Sequence, residues 1–158
     1  MIRCLIVDDE PLAREILGQY VSQSDELQLV GACKNANEVV ELLQKESVDV
    51  LFLDIQMPGI SGMALMKSLE NPPLVVFTTA YDQYAIEAFK TNGIAYILKP
   101  IEEDELVNAL KKFRTLTNTN IELSSIHSHI QQLSSINQQL STINSYKERV
   151  LAKVGDNY

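Results

Sequence analysis

A chain of 158 residues, 46% of them hydrophobic, is long enough for one ordinary domain with a sizeable core and an appendage. Its formal net charge of −8 argues against this chain gripping a nucleic-acid phosphate backbone by itself. No run of about 18 apolar residues exists, so no membrane span is expected. The opening Met1-Ile2-Arg3-Cys4-Leu5 reads as a strand and lacks signal-peptide architecture. Cys4 and Cys33 sit in apolar stretches, which suits buried free thiols better than a disulfide and makes a cytoplasmic location the default expectation.

Taken in order, Ile2 to Val7 is an apolar strand interrupted only by Arg3, ending in Asp8-Asp9-Glu10-Pro11. Pro11 suits the first turn of a helix, and Leu12, Ile16, Leu17, Tyr20 and Val21 follow at helical spacing. Leu27 to Cys33 is a second strand. Asn35 or Asn37 can cap the next helix, with Val39, Val40, Leu42 and Leu43 as its expected inner face. Val50 to Asp54 reads as a strand buried on both faces, and a helix over 61–69 follows the Met57-Pro58-Gly59 loop. Asn71-Pro72-Pro73 is a hard stop before a fourth strand at Leu74 to Phe77. A helix is expected over 82–90, closed by Asn92-Gly93, then a fifth strand at Ile94 to Leu98 and a helix over 102–113. Five strands alternating with five helices predict an α/β fold with a parallel, doubly wound sheet over residues 1–115.

From about Thr115 the composition turns to Ser, Thr, Asn and Gln. Ile126, Leu133 and Leu140 recur every seven residues, with Ile136 and Ile143 three residues after the last two and His129 in the remaining place. That is an a/d heptad, and it predicts a helical linker over 116–146 that extends the preceding helix and pairs with a second copy. A polar, partly disordered linker is the competing reading. Residues 147–158 change character again. Val150-Leu151-Ala152-Lys153-Val154 reads as a strand with nothing after it to pair with, which looks like the opening of a second, truncated domain.

The chemistry gathers at the strand ends. Asp54 alone would serve as a helix cap or turn former. In a doubly wound sheet, however, the first and third strands can be neighbours, so that Asp8, Asp9 and Asp54 share one pocket outside the strand ends. Like charges at that distance are costly unless a cation neutralises them, and oxygen-only ligands with open positions suit Mg²⁺. The pocket is then organised for attack by a carboxylate on phosphorus, giving an acyl phosphate. Thr79 would offer a hydroxyl donor and Lys99 a point charge to the phosphoryl oxygens. Read singly, Thr79 is also a helix cap, Lys99 a solvated strand end and Tyr96 a half-buried aromatic. His127 and His129 read as solvated linker residues.

The motifs Val7-Asp8-Asp9-Glu10, Asp54-Ile55-Gln56-Met57-Pro58-Gly59, Thr79-Ala80 and Lys99-Pro100 resemble the receiver domain of two-component response regulators. The resemblance implies a CheY-like (flavodoxin-like) strand order 2-1-3-4-5 with an extended C-terminal helix. It also implies phosphorylation of Asp54 by a sensor histidine kinase. Mg²⁺ would be held by Asp9, Asp54 and the Gln56 backbone carbonyl, with Asp8 acting through water. Ala80 would join Thr79 and Lys99 around the phosphoryl group, Thr79 and Tyr96 would form the conformational pair, and Lys99-Pro100 would be cis. Asp8-Asp9-Glu10-Pro11-Leu12-Ala13-Arg14, Phe77-Thr78-Thr79-Ala80-Tyr81 and the 84–89 segment resemble regulators that carry a C-terminal LytTR DNA-binding domain. That implies a homodimer formed through the 82–90 helix, the fifth strand and the helix after it, or through the linker. DNA would be contacted only by a domain that residues 150–156 would begin.

Such a protein is a phosphoacceptor that assists its own phosphorylation and dephosphorylation, not an enzyme with turnover. An Asp-nucleophile phosphatase would need an acid where Gln56 stands. A flavodoxin-like carrier would need Ser, Thr and Gly where Asp8-Asp9-Glu10 stands. A stand-alone receiver acting through protein contacts is the remaining alternative.

Overall fold

The computed structural model of the chain describes residues 1–81 and 93–155, with backbone only at 120, 121 and 135–155. Its elements are β1 (Ile2–Val7), α1 (Pro11–Ser22), β2 (Leu27–Cys33), α2 (Ala36–Lys45), β3 (Val50–Asp54), α3 (Gly62–Ser68), β4 (Leu74–Thr79), β5 (Gly93–Leu98) and α4 (Glu103–Gly155). The helix expected over 82–90 and its Asn92 stop lie outside the described residues. All strand pairings are parallel, in the order β2-β1-β3-β4-β5.

That order makes β1 and β3 adjacent, with Val7 level with Leu53. Alternate residues of these strands enter two separate cores, as the period of two requires. Cys4, Ile6, Val50, Phe52 and Val76 pack with Leu17 and Val21 of α1 and with Leu106 to Phe113 at the start of α4. Leu5, Val7, Leu51, Leu53, Val75 and Phe77 pack on the opposite face with Val39 of α2 and with Met63, Leu65 and Met66 of α3. Helices on both faces bury β3 completely, which is why its sequence is apolar without alternation.

Local signals set the helix starts. Asn35 accepts the Glu38 amide N–H at 3.0 Å, and Ser61 accepts the Ala64 amide N–H at 3.1 Å. Pro11 opens α1. Two expected inner-face residues point outward: Leu12 is 66% exposed and Val40 39%. Each lies at the edge of its helix's apolar stripe, where periodicity alone does not fix the side.

The first compact unit runs from Met1 to Arg114 and the second from Thr115 to Tyr158. The helix expected to continue into the linker does so, and α4 runs unbroken to Gly155. Val150 to Val154 is therefore helical and not a strand. A five-residue apolar run fits either period, and a strand would need a partner to take its backbone hydrogen bonds. Among the described residues, no helix is long and apolar enough to cross a membrane.

Candidate functional site

The fold brings the expected acids together. β1 ends at Val7 and β3 at Asp54, side by side, so Asp8, Asp9 and Asp54 open onto the same end of the sheet. One carboxylate oxygen from each of Asp8, Asp9, Glu10 and Asp54 lies within 4.8 Å of the others. Asp8 is fully buried and Asp54 3% exposed, whereas Asp9 is half-buried and Glu10 exposed.

Lys99, immediately after β5, reaches back across the sheet into this group. Its Nζ stands 2.8 Å from Asp8 Oδ2, 3.3 Å from Asp54 Oδ2 and 3.3 Å from Glu10 Oε1. Backbone amides fix the remaining oxygens. Glu10 N–H donates to Asp8 Oδ1 at 2.9 Å, and Gln56 N–H donates to Asp54 Oδ1 at 3.3 Å. Asp8 Oδ2 faces the Lys99 ammonium at 2.8 Å and has no second donor among the described residues.

One ammonium does not balance this many acids. Burial first, and then the Asp8 charge, push the Asp54 carboxyl up to about 7, although Lys99 and the Gln56 amide pull the other way. Burial alone would lower Lys99; its hydrogen bond to Asp8 and the charges of Asp54 and Asp8 outweigh that and hold it above its usual value. An all-oxygen group with a badly satisfied buried carboxylate and surplus negative charge fits a hard divalent cation, and Mg²⁺ above all.

Thr79 ends β4, fully buried, with its hydroxyl accepting the Tyr81 N–H at 3.2 Å. The Tyr96 hydroxyl donates to the carbonyl of the same Tyr81. Thr79 and Tyr96 thus meet through one residue, Tyr81. Ala80, next to Thr79, is exposed, and the Lys99–Pro100 peptide is cis.

Three participants had no role in the expected set. Glu10 is the third acid on Lys99. Arg14 donates from Nη1 to the Asp8 backbone carbonyl at 2.7 Å, locking the strand-to-helix turn. Their spacing, one helical turn apart at the start of α1, was the available signal. Gly62 is a third. A Cβ there would stand 2.2 Å from the Asp54 carbonyl oxygen, because α3 begins directly against the end of β3. Gly62 N–H donates to the Ile55 carbonyl at 2.8 Å. Beside the carboxylates, an open cleft of about 650 Å³ is lined by Leu12, Ile16, Tyr20, Pro100 and Ile101, with Glu10 and Lys99 in its wall.

Cys4 and Cys33 are free and buried, and burial pushes their thiols up to about 12 and about 11. They are inert core residues.

Residues 4–111 match the response regulator receiver domain family. The transcriptional regulatory protein BtsR of Salmonella typhi is 50% identical over 116 residues, covering 72% of this chain and 48% of that protein. The sensory transduction protein LytT of Bacillus anthracis is 39% identical over 126 residues, covering 78% and 51%. The chain thus spans about half the length of the curated relatives it matches. Among solved structures, the response regulatory domain of mrkE from Klebsiella pneumoniae superposes with a TM-score of 0.66 at 33% identity, covering 75% of this chain and 99% of that one. The response regulator TrrA of Thermotoga maritima, in complex with Mg²⁺ and BeF, superposes with a TM-score of 0.63 at 29% identity, covering 72% and 99%.

Proposed function

The chain belongs to the response regulator receiver family, and from that premise we propose that Asp54 is its phosphoacceptor, working with Mg²⁺. The observation that carries this is the meeting of Asp8, Asp9 and Asp54 within 4.8 Å at the strand ends, with Lys99 across them. Mg²⁺ would be held by Asp9, Asp54 and the Gln56 carbonyl, with Asp8 through water. When bound, it offsets the charge that develops on the transferring phosphoryl group.

The chain's own residues do the rest. An Asp54 carboxylate oxygen forms a bond to phosphorus as the donor's bond to phosphorus breaks, and the leaving group carries away its electron pair. Lys99 sits 3.3 Å from Asp54 Oδ2 and supplies positive charge to the incoming oxygens. Burial of Asp54 keeps water from competing for the same phosphorus. The donor is a sensor histidine kinase's phosphohistidine. The apolar cleft that shares Glu10 and Lys99 with the pocket offers that protein a docking surface.

The phosphoryl group adds nearly two negative charges and three acceptor oxygens. The Thr79 hydroxyl turns toward them and gives up the Tyr81 N–H. Tyr96, bonded to the same Tyr81, then moves inward. The surface carrying β5 and the start of α4 changes with it and alters self-association. Output passes to a LytTR-type DNA-binding domain, so that the whole protein is a cytoplasmic transcription regulator.

Acetyl phosphate with Mg²⁺ should add one phosphoryl group to the wild-type chain and none to Asp54→Asn. Undiminished labelling of Asp54→Asn, or labelling that survives complete metal chelation, would overturn the assignment.

A further inference from the structure

Beyond the receiver unit, α4 carries an apolar stripe that no described contact covers. Leu116, Leu123, Ile126, Ile130 and Leu133 are exposed by 42%, 58%, 55%, 55% and 63%. From Leu123 onward their spacings alternate three and four, the signature of a and d positions in a heptad. This seam differs from the sequence-based one. Ile126 and Leu133, which the sequence-based repeat set at a, take d here, with Leu123 and Ile130 as their a neighbours in place of His129.

We propose that α4 pairs through this seam with a second copy of the chain, as a parallel, in-register, two-stranded coiled coil with Leu116, Leu123 and Ile130 at a and Ile126 and Leu133 at d. Three observations select that occupant. First, Glu122 is the sole Asp, Glu, Lys or Arg from Thr115 to Tyr146. Coiled coils choose unlike partners and repel like ones by flanking charges, and this flank has almost none. Second, the same spacing places Asn137 and Asn144 at a, the residue that sets register in parallel pairs by meeting its own copy. An antiparallel overlap would set those amides against leucine or isoleucine and leave them unsatisfied.

Third, the segment is a poor helix on its own. Ser, Thr and Asn have low helix propensity, and lone helices of such composition are unstable in water. Several hydroxyls already bond back within the helix: Thr119 to the Thr115 carbonyl at 2.8 Å, Ser128 to Ser124 at 3.0 Å and Ser134 to Ile130 at 2.9 Å. Thr119, at a d position, therefore brings no unmet donor into the seam. Yet α4 is unbroken from Glu103 to Gly155, and burying its apolar stripe against a partner is the stabilisation such a helix lacks alone.

The pairing stands apart from the phosphoryl chemistry, so Asp54→Asn should be as dimeric as the wild type. The test is molar mass by light scattering and sedimentation on the whole chain, together with symmetric disulfide capture. Wild type and Asp54→Asn should both read twice the monomer mass. Ile130→Lys should weaken association at least ten-fold, and the flank substitution Gln131→Lys should leave it unchanged. Because Ile130→Lys also loosens the helix itself, cysteine at 126 and at 128 provides the second measurement. Ile126→Cys should link two copies rapidly under mild oxidation, and Ser128→Cys, on the outer face, should not. A monomer at all concentrations, a dimer that fails to link at 126, or equal linking at both positions would overturn the proposal. A dimer lost in Asp54→Asn but labelled normally in the wild type would overturn it while leaving the phosphoacceptor reading intact.

Discussion

Replacing Asp54 by Asn should stabilise the metal-free receiver at alkaline pH. Asp54 is 3% exposed, and burial with the Asp8 charge pushes its carboxyl from 3.8 up to about 7. Holding such a group ionised costs the folded state roughly 4 kcal/mol. That figure already includes the pull of the Lys99 ammonium at 3.3 Å, which keeps Asp8 at 2.8 Å when the charge on residue 54 is removed. The gain at alkaline pH is therefore roughly 4 kcal/mol, a rise in melting temperature on the order of 10–20 °C for a domain of this size. The pH dependence is specific. Below 3.8 both the folded and unfolded wild-type chains hold the Asp54 proton. Between there and about 7 the unfolded chain releases it first, so wild-type stability falls through that window and stays low above it. Thermal melts in EDTA should therefore show an Asp54→Asn advantage that is largest at about pH 8 and falls to about 1.6 kcal/mol at about pH 5. Mg²⁺ should narrow the gap at the higher pH by stabilising the wild type more. An advantage equal at both pH values, or a variant less stable than wild type at about pH 8, would refute the claim that the pocket carries surplus buried charge.

Other outcomes follow from the same geometry. Gly62→Ala forces a methyl group to within 2.2 Å of the Asp54 carbonyl and should cost about 1–3 kcal/mol in chemical denaturation, with weaker Mg²⁺ binding by titration. Phe52→Ala, at 0% exposure between β1 and β4, should cost about 3–5 kcal/mol in the same assay. Asn35→Ala removes the cap on the Glu38 amide and should cost about 1 kcal/mol. Glu10→Gln should change stability by under about 0.5 kcal/mol, because Glu10 is exposed and Lys99 retains two better-buried partners. A larger loss would mean that Glu10, and not Asp8, anchors Lys99.

Much of this was legible from residue order alone. The apolar runs of β1 and β3 imply burial on both faces, and the strand order implied by the family resemblance then sets Asp8 and Asp54 side by side. Asn35 and Pro11 mark helix starts by chemistry that needs no tertiary context. What stayed hidden depends on contacts across the fold. Arg14 matters because its side chain reaches back to the Asp8 carbonyl, and Gly62 because α3 begins against β3; neither proximity is written locally. Leu12 and Val40 sit at the borders of their stripes, where one neighbour decides inside from outside. Val150 to Val154 satisfies helix and strand patterns equally, and only the continuing helix before it decides. In α4, Ile126 and Leu133 fit an a/d repeat with either of two sets of neighbours, and only the pairing of two helices decides between them.

The most direct test is the intact mass of the chain after acetyl phosphate, with and without Mg²⁺, followed by fragmentation to locate the added group. A single phosphoryl group on Asp54, gained only with the divalent ion and absent from Asp54→Asn, is the expected result. A group attached elsewhere, or gained equally without the metal, would mean that the acids at the ends of β1 and β3 do not form a phosphoryl-accepting centre.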